Sequence, residues 1–421
     1  MTDYKEILSR AKVGLFTHYT WGTYPGKDGR WETRTGGSTA RSVSDPRPAA
    51  SVEELAAALD AENYADAAEE MAAEYVIFTI SHAGMNLLYP SDFMRTHGLG
   101  YKCAATDAAG KLADALKERG IPLLFYIALS DTHDLSENEL RAMGYDLDRY
   151  QETRDRIAAE IVAEICRRYE GRFAGFWFDQ CGCGQPAVDT VHELLPGGAV
   201  FINTGIVANE NKPEAADFLV SETYRVLADA GKDKELIKDD ISETDHIGSH
   251  HSQVCPELAH GWWAIGEPRP VTITALGMFR YTVRCAATTG AFNGGIAWGT
   301  GQYIDQSFEP GVRQLMRDYG GLMRSRGEAL FGTVPGRSYP TPPGDIDPAF
   351  VSTESADGKT VYIHILRPSD GGFILPAPAD GRIFTKARML DGTALPVEPK
   401  DGGYYLKYAR FDGIDTVVAL N

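Results

Sequence analysis

The 421-residue sequence has few cysteines, no long apolar segment and a shortage of positive charge. Six cysteines are too few for a disulfide scaffold and indicate reduced thiols. Residues Met1 to Glu6 are polar and unlike a signal peptide, so we expect a cytoplasmic protein. No apolar run approaches the roughly 18 residues of a membrane helix, which predicts that the chain does not enter a membrane.

Charge narrows the classes of partner further. The sequence has 41 Lys and Arg against 59 Asp and Glu, a net charge of −18. Because phosphate binding needs clustered basic residues, this balance disfavours nucleic acid and anionic membranes as partners. It favours a small neutral or cationic ligand, and it leaves the oligomeric state open.

Continuous apolar runs alternate with helical patterns in the first 336 residues. Such runs are typical of parallel strands that are buried on both faces, and the alternation predicts successive βα units. The runs are 13–19, 75–82, 122–129, 173–179 and 199–203. Helices are expected over 51–72, 108–119 and 150–169. The predicted fold is therefore an α/β, TIM-like (β/α) barrel.

The pattern changes near residue 336, where the Pro-rich stretch 339–344 predicts a domain boundary. Short alternating segments follow, separated by Asp-Gly turn signals, which are typical of antiparallel strands. They lie at 360–366, 382–390, 403–408 and 414–420. We therefore predict a barrel over 1–336 and a small β-sandwich over 337–421.

Polar residues end the predicted strands, and barrel active sites form at the carboxyl ends of strands. These residues are His18, His82, Asp131, Asp179 and Asn203. The sharpest feature is Asp179, which ends the aromatic strand that contains Trp177. Such rings can stack on the face of a sugar, although an aspartate at this point can also simply cap the following loop.

Seven segments, taken in order, resemble the retaining α-L-fucosidases of glycoside hydrolase family 29. They lie at 12–18, 60–64, 75–79, 81–84, 176–179, 217–222 and 327–333. The resemblance covers nearly the whole chain and implies a barrel, a β-sandwich and hydrolysis of a terminal sugar without a cofactor or metal. It implies that Asp179 is the nucleophile and Glu222 the acid/base. Asp217 and Glu210 remain alternatives for the acid.

The resemblance also implies a set of sugar-binding residues. His18 and His82 are similar to the family's sugar-binding histidines, and imidazole can both donate to and accept from hydroxyls. The full set of expected binding residues is His18, His82, Tyr126, Trp31, Glu32, Trp177 and Asn203. Trp262 and Trp263 are further candidates, for the cleft that holds the leaving group.

Three positions depart from the family pattern. Ser81 stands where the resemblance leads us to expect His, Ala83 where we expect an acid, and Gly205 where we expect Arg. The catalytic carboxylates are thus retained while recognition groups are changed. A glycosidase of the same fold that acts on a sugar other than fucose is therefore an alternative.

Two other classes of function remain. Soft thiolates and imidazoles suit zinc, and a zinc hydrolase could use Cys181, Cys183, His246, His250, His251 and Cys255, although the CxC spacing is uncommon for a zinc site. A carbohydrate-binding protein without catalysis would have the same pocket and no working acid. Dinucleotide, phosphate-loop and Gly-x-Ser-x-Gly signatures are absent from the sequence.

Overall fold

The computed structural model describes residues 2–22, 38–82, 84–128, 135–179, 184–203, 216–222, 251–255, 258, 263–266, 271, 273–288, 295–342, 348–367, 371–408 and 411–421. In chain order the first ten strands are β1 (Val13–His18), β2 (Ala40–Ser42), β3 (Asp45–Pro48), β4 (Tyr75–Ser81), β5 (Leu123–Ile127), β6 (Gly175–Phe178), β7 (Ala199–Asn203), β8 (Phe218–Glu222), β9 (His251–Cys255) and β10 (Ile296–Gly301). Eight of these strands run parallel in the order β1-β10-β9-β8-β7-β6-β5-β4, and β4 pairs with β1 to close the sheet.

Helices separate most of these strands. They are α1 (Tyr4–Arg10), α2 (Val52–Ala58), α3 (Ala61–Glu70), α4 (Asp92–Thr96), α5 (Ala108–Glu118), α6 (Glu137–Ala142), α7 (Tyr150–Arg168), α8 (Gly184–Leu194), α9 (Ala275–Ala287), α10 (Val312–Ser325) and α11 (Gly327–Leu330). The connections 204–215 and 223–250, which follow β7 and β8, lie outside the described residues. The predicted mixed α/β fold is confirmed, and the complete (β/α) pattern is confirmed only in part.

Alternation along the strands divides the apolar side chains of the sheet into two clusters. One set packs against the surrounding helices and includes Leu15, Phe78 and Phe125. The other set consists of the alternate residues, which fill the interior that the closed sheet surrounds. It includes Phe16, Tyr75, Ile77, Leu124, Tyr126, Trp177, Phe201, Phe218, Val220 and Ala297. Because this interior is packed with rings, a ligand can enter only at an end of the sheet.

The segment 51–72, expected to be one helix, forms α2 and α3 with a break at Leu59 and Asp60. The Asp60 carboxylate accepts the N–H of Asn63 and caps α3. The Ser51 hydroxyl caps α2 in the same way, through the N–H of Glu54. The break therefore results from a second capping residue within the Ala/Glu-rich stretch.

The C-terminal strands are β11 (Val334–Pro335), β12 (Phe350–Glu354), β13 (Val361–Ile365), β14 (Phe373–Leu375), β15 (Ala387–Met389), β16 (Ala394–Leu395), β17 (Val397–Lys400), β18 (Gly403–Leu406) and β19 (Thr416–Leu420). They form two antiparallel sheets, β11-β12-β13-β19-β15-β16 and β14-β18-β17. Ile363 and Val418 of the first sheet share one core with Leu375 and Leu406 of the second. The division after residue 336 stays a prediction, and β11, which precedes it, pairs with β12.

Lys12 and Glu74 are neighbouring, largely buried ionisable residues at the amino end of the barrel, where β1 and β4 begin. Glu74 Oε2 accepts the backbone N–H of Lys12 at 2.6 Å, and Lys12 Nζ donates to the carbonyl of Thr333 at 2.8 Å. Burial raises the pKa of Glu74 to about 7, although hydrogen bonds from the backbone and the charge of Lys12 lower it. Burial likewise lowers the pKa of Lys12 to about 8. Both groups therefore titrate close to neutral pH.

We predict that ionisation of Glu74 destabilises the fold between pH 5 and 7. The folded-state pKa of Glu74 is raised above its ordinary 4.5, so its stabilising contribution is complete below that pH and is lost as the pH rises through 7. The loss should be on the order of 2 kcal/mol, because each pKa unit is worth about 1.4 kcal/mol and solvent contact reduces the total. Urea unfolding across this range should show a pH dependence that Glu74→Gln lacks.

The window ends below pH 8 because the lowered pKa of Lys12 reverses the sign above that value. Glu69→Gln is the matched control, since the Glu69 side chain is 69% exposed on α3. Equal pH dependence in the wild type and Glu74→Gln would contradict the prediction.

Candidate active site

Six of the predicted site residues lie together at the carboxyl edge of the barrel: His18, His82, Tyr126, Trp177, Asp179 and Asn203. In the sheet register Tyr126 pairs with Trp177, and Phe178 pairs with Ile202. Asp179 follows directly after β6, and therefore reaches the level of Asn203, the last residue of β7. The register of three adjacent strands thus brings a tyrosine, an aspartate and an asparagine to one place.

In the described part of the chain, two side chains donate to the Asp179 carboxylate. Tyr126 Oη donates to Asp179 Oδ2 at 2.5 Å, and Asn203 Nδ2 donates to Oδ1 at 2.7 Å. The backbone N–H of Asp179 donates to the carbonyl of Ile127 at 3.2 Å, which fixes the chain just beyond β6. Donors to both oxygens stabilise the ionised carboxylate and fix its plane. Asp179 is 7% exposed, so the oriented carboxylate is largely shielded from solvent.

Rings surround the histidines beside this carboxylate. The His18 ring is stacked on Trp263, with centroids 4.3 Å apart, and meets Tyr126 edge-on at 4.9 Å. His82 is stacked with Tyr126 at 5.4 Å and meets His18 edge-on at 5.3 Å. His82 lies one residue beyond the end of β4. Tyr126 therefore connects the histidine cluster to the Asp179 carboxylate.

His18 is a neutral imidazole in this enclosure. Burial, and next the charge of His82, hold the pKa of His18 well below its usual range. Its Nδ1 lies 2.7 Å from Thr79 Oγ1. Sequence reasoning missed Thr79, and the only signal for it was a hydroxyl within an otherwise apolar strand.

Trp177 and Asn203 lie deeper than expected of residues in direct contact with a ligand. Each is 1% exposed. The Trp177 ring is stacked with Tyr126 at 5.1 Å and packs against Phe16, while the Asn203 amide is directed at Asp179. In the described residues both side chains support the groups around the carboxylate.

The two described candidates for the acid lie at opposite ends of β8. Glu222 is its last residue, whereas Asp217 precedes its first. Asp217 accepts from Lys5 at 2.8 Å, from His192 at 3.1 Å and from the N–H of Val200 at 2.9 Å. Asn203 pairs with Val220, so Asp217 lies three residues, about 10 Å, below the level of Asp179. Asp217 thus belongs to the amino end of the barrel.

Several expected residues fall outside the described part of the chain: Trp31, Glu32, Ala83, Asp131, Cys181, Cys183, Gly205, Glu210, His246, His250 and Trp262. Among the described residues no group of three His, Cys, Asp or Glu side chains could hold a metal ion. Ser81 is described, and its buried hydroxyl donates to the carbonyl of His82 at 3.3 Å. No described helix has the length and hydropathy that crossing a membrane requires.

Two surface depressions lie away from this cluster. One, of about 620 Å³, runs along α7 and α8 beside Glu152 and Arg167. The other, of about 450 Å³, lies at the amino end of the barrel beside Glu74 and Lys117. Neither depression is lined by Asp179 or by the side chains that surround it.

Comparison with known protein families gives one match. The family model described as alpha-L-fucosidase matches residues 2–257. No curated protein sequence matches the chain.

Solved structures of similar fold cover nearly the whole chain. An α-L-fucosidase of Bacteroides thetaiotaomicron, trapped as a covalent intermediate with 2-fluoro-fucosyl fluoride, has 18% identity and a TM-score of 0.67, with 99% of this chain and 95% of that one covered. Isoenzyme 1 from Paenibacillus thiaminolyticus has 17% identity and a TM-score of 0.67, with coverage of 99% and 98%. The Thermotoga maritima α-fucosidase in complex with fucose has 14% identity and a TM-score of 0.66, with coverage of 99% and 96%.

Proposed function

We propose that this chain, which belongs to the α-L-fucosidase family of glycoside hydrolases, removes a terminal sugar with retention through a covalent glycosyl-Asp179 intermediate. One observation carries the proposal: an aspartate at the carboxyl edge of the barrel, with each carboxylate oxygen held by a donor. The substrate is a small carbohydrate or glycoside, and the reaction uses no cofactor.

Asp179 is suited to attack the anomeric carbon. A nucleophile must be ionised and correctly oriented before the reaction, and the hydrogen bonds from Tyr126 and Asn203 provide both conditions. When the carboxylate becomes an ester its charge disappears, and the same two donors then stabilise it as a leaving group in the second step. His18, His82 and the loop residues Trp31 and Glu32 are proposed to bind the sugar. Trp177 supports Tyr126 from below.

Glu222 is proposed as the acid/base. In retaining glycosidases the two carboxyl groups lie about 5–5.5 Å apart. Position 222 ends β8 on the same edge of the sheet as Asp179, two residues beyond the position paired with Asn203. Asp217 lies about 10 Å toward the other end and is held by Lys5 and His192, so we favour Glu222 over it. Glu210 remains the alternative among residues not described.

Asp179→Ala should lower kcat by several orders of magnitude on an aryl glycoside, because the covalent step is lost. Added azide should restore part of the rate by occupying the space of the carboxylate. The matched control is Asp189→Ala, since Asp189 is exposed on α8 and its carboxylate accepts from Gln185 one helical turn away. Near-normal turnover by Asp179→Ala would remove Asp179 from the mechanism. Normal sugar binding by a wild type without turnover would identify a carbohydrate-binding protein.

Glu222→Gln should spare substrates whose leaving groups are very acidic and cripple those whose leaving groups are poor. The reason is that only a poor leaving group needs the proton that the acid supplies. The measurement is kcat/KM across a series of aryl glycosides with graded leaving-group acidity. An equal loss across the series would transfer the role to Glu210.

A sugar other than fucose is the second candidate substrate. The observation that favours it is Ser81, whose hydroxyl already donates to the carbonyl of His82, where the resemblance leads us to expect an imidazole. Together with Ala83 and Gly205, it leaves fewer charged and bidentate groups for the sugar hydroxyls, and more room for a ring substituent.

We therefore predict that simple α-L-fucosides are poor substrates. Each lost hydrogen bond in a dry pocket costs on the order of 1.5–3 kcal/mol when the hydroxyl stays unpaired, so two losses lower kcat/KM by roughly 10²–10⁴. Kinetics on an aryl fucoside against a panel of other aryl glycosides measures this directly. A value for the fucoside near 10⁵ M⁻¹s⁻¹, well within the usual enzyme range, would favour fucose instead.

A further inference from the structure

Thr79 lies between two strands, with its hydroxyl shared between a ring nitrogen and a backbone carbonyl. Thr79 Oγ1 is 2.7 Å from His18 Nδ1, and it donates to the carbonyl of Thr17 at 3.1 Å. Thr79 and His18 are fully buried or nearly so. The Thr79 hydroxyl therefore contacts His18, whose ring is packed against Trp263, Tyr126 and His82.

The protons of this group can be counted. A threonine hydroxyl has a single proton, and because a carbonyl oxygen can only accept, the contact with Thr17 is a hydrogen bond only when that proton points to Thr17. The short contact with Nδ1 then requires a proton from the imidazole. Burial keeps His18 neutral, so its ring has only one N–H. Both contacts of the Thr79 hydroxyl are hydrogen bonds only when that proton is on Nδ1, which makes Nε2 the acceptor of the ring.

We propose that Thr79 is a positioning residue that fixes His18 in its Nδ1–H tautomer, so that His18 presents Nε2 to the substrate as a hydrogen-bond acceptor. This proposal rests on the proposed function, which supplies the sugar substrate. It specifies the group that His18 selects: a sugar hydroxyl that donates its proton.

The surrounding rings make this setting rigid. Trp263 covers one face of the imidazole, with planes only 14° apart, while Tyr126 and His82 meet it edge-on. Rotation of the ring by half a turn would place a carbon against Thr79 and lose the bond to Nδ1. The same hydroxyl therefore controls both the orientation and the tautomer of His18.

The proposal has a consequence for substrates. A hydroxyl in contact with Nε2 can donate, whereas a fluorine, a hydrogen or a methoxy group at the same carbon cannot. Analogues with these replacements should therefore lose rate alike at that carbon, even though fluorine and methoxy oxygen retain acceptor character. With a histidine of the other tautomer, acceptor groups would be favoured instead.

The direct test is NMR of protein containing isotope-labelled histidine, with the His18 signals assigned by their loss in His18→Gln. The wild type and Thr79→Ser, which keeps the hydroxyl, should show a protonated Nδ1 and an unprotonated Nε2. Thr79→Val, which keeps the shape and lacks the hydroxyl, should show a mixture or the reverse. Thr282→Val is the matched control. The buried Thr282 hydroxyl contacts the carbonyl of Met278 on α9 and the hydroxyl of Tyr319 on α10, away from His18.

Kinetics then test the consequence. Thr79→Val should lose roughly 10- to 100-fold in kcat/KM, the effect of one misdirected hydrogen bond in a dry site, while Thr79→Ser and Thr282→Val retain most of it. The penalty for the deoxy analogue at the contacted carbon should shrink in Thr79→Val. If Thr79→Val merely disturbed the fold, kcat/KM would fall equally for all substrates, and the midpoint of thermal unfolding would fall as well.

Failure of this proposal is distinguishable from failure of the proposed function. An unprotonated Nδ1 on His18 in the wild type overturns the proposal, whatever the protein hydrolyses. Identical His18 signals in Thr79→Val and the wild type overturn it as well. A protonated Nδ1 that depends on Thr79, in a protein that turns over no glycoside, supports the control of the tautomer and rejects only the enzymatic role.

Discussion

The hydrogen bonds that hold the Asp179 carboxylate depend on the register of three parallel strands. Tyr126 comes from β5, Asp179 follows β6, and Asn203 ends β7, so a shift of any one strand by one residue would direct its side chain to the opposite face. The register is in turn specified by the rings that fill the barrel. Packing of the interior and placement of the reactive carboxylate are therefore one constraint.

The packing also determines the electrostatics of the site. Trp177 and Phe16 close the space beneath Tyr126, and Trp263 covers His18. Water is largely excluded, so each hydrogen bond to Asp179 is stronger than it would be at an exposed surface. The same exclusion keeps His18 neutral. The site thus combines an oriented carboxylate with closely packed rings, which suits a ligand made of hydroxyl groups.

Much of this could be predicted from sequence because the informative signals are local. Continuous apolar runs ending in His18, Asp179 and Asn203 indicate buried parallel strands and their polar ends. The contact of Thr79 with His18 is different, because it joins two strands 61 residues apart in the chain and no local pattern reports it. The short strands β14, β16 and β17 were not predicted from the sequence for a similar reason, since pairing between segments rather than alternation defines them. The break between α2 and α3 depends on a capping aspartate that composition alone does not single out.

Carboxylates at the two ends of the barrel have different hydrogen-bond partners. At the amino end the Asp217 carboxylate contacts the side chains of Lys5 and His192, and the Glu74 carboxylate accepts the backbone N–H of Lys12. These carboxylates therefore connect neighbouring elements where the barrel strands begin. At the carboxyl edge the phenol of Tyr126 and the amide of Asn203 each donate to one oxygen of Asp179 and orient its carboxylate. In the proposed mechanism this orientation directs the carboxylate at the positive charge that develops in the oxocarbenium-like transition state of a glycosidase.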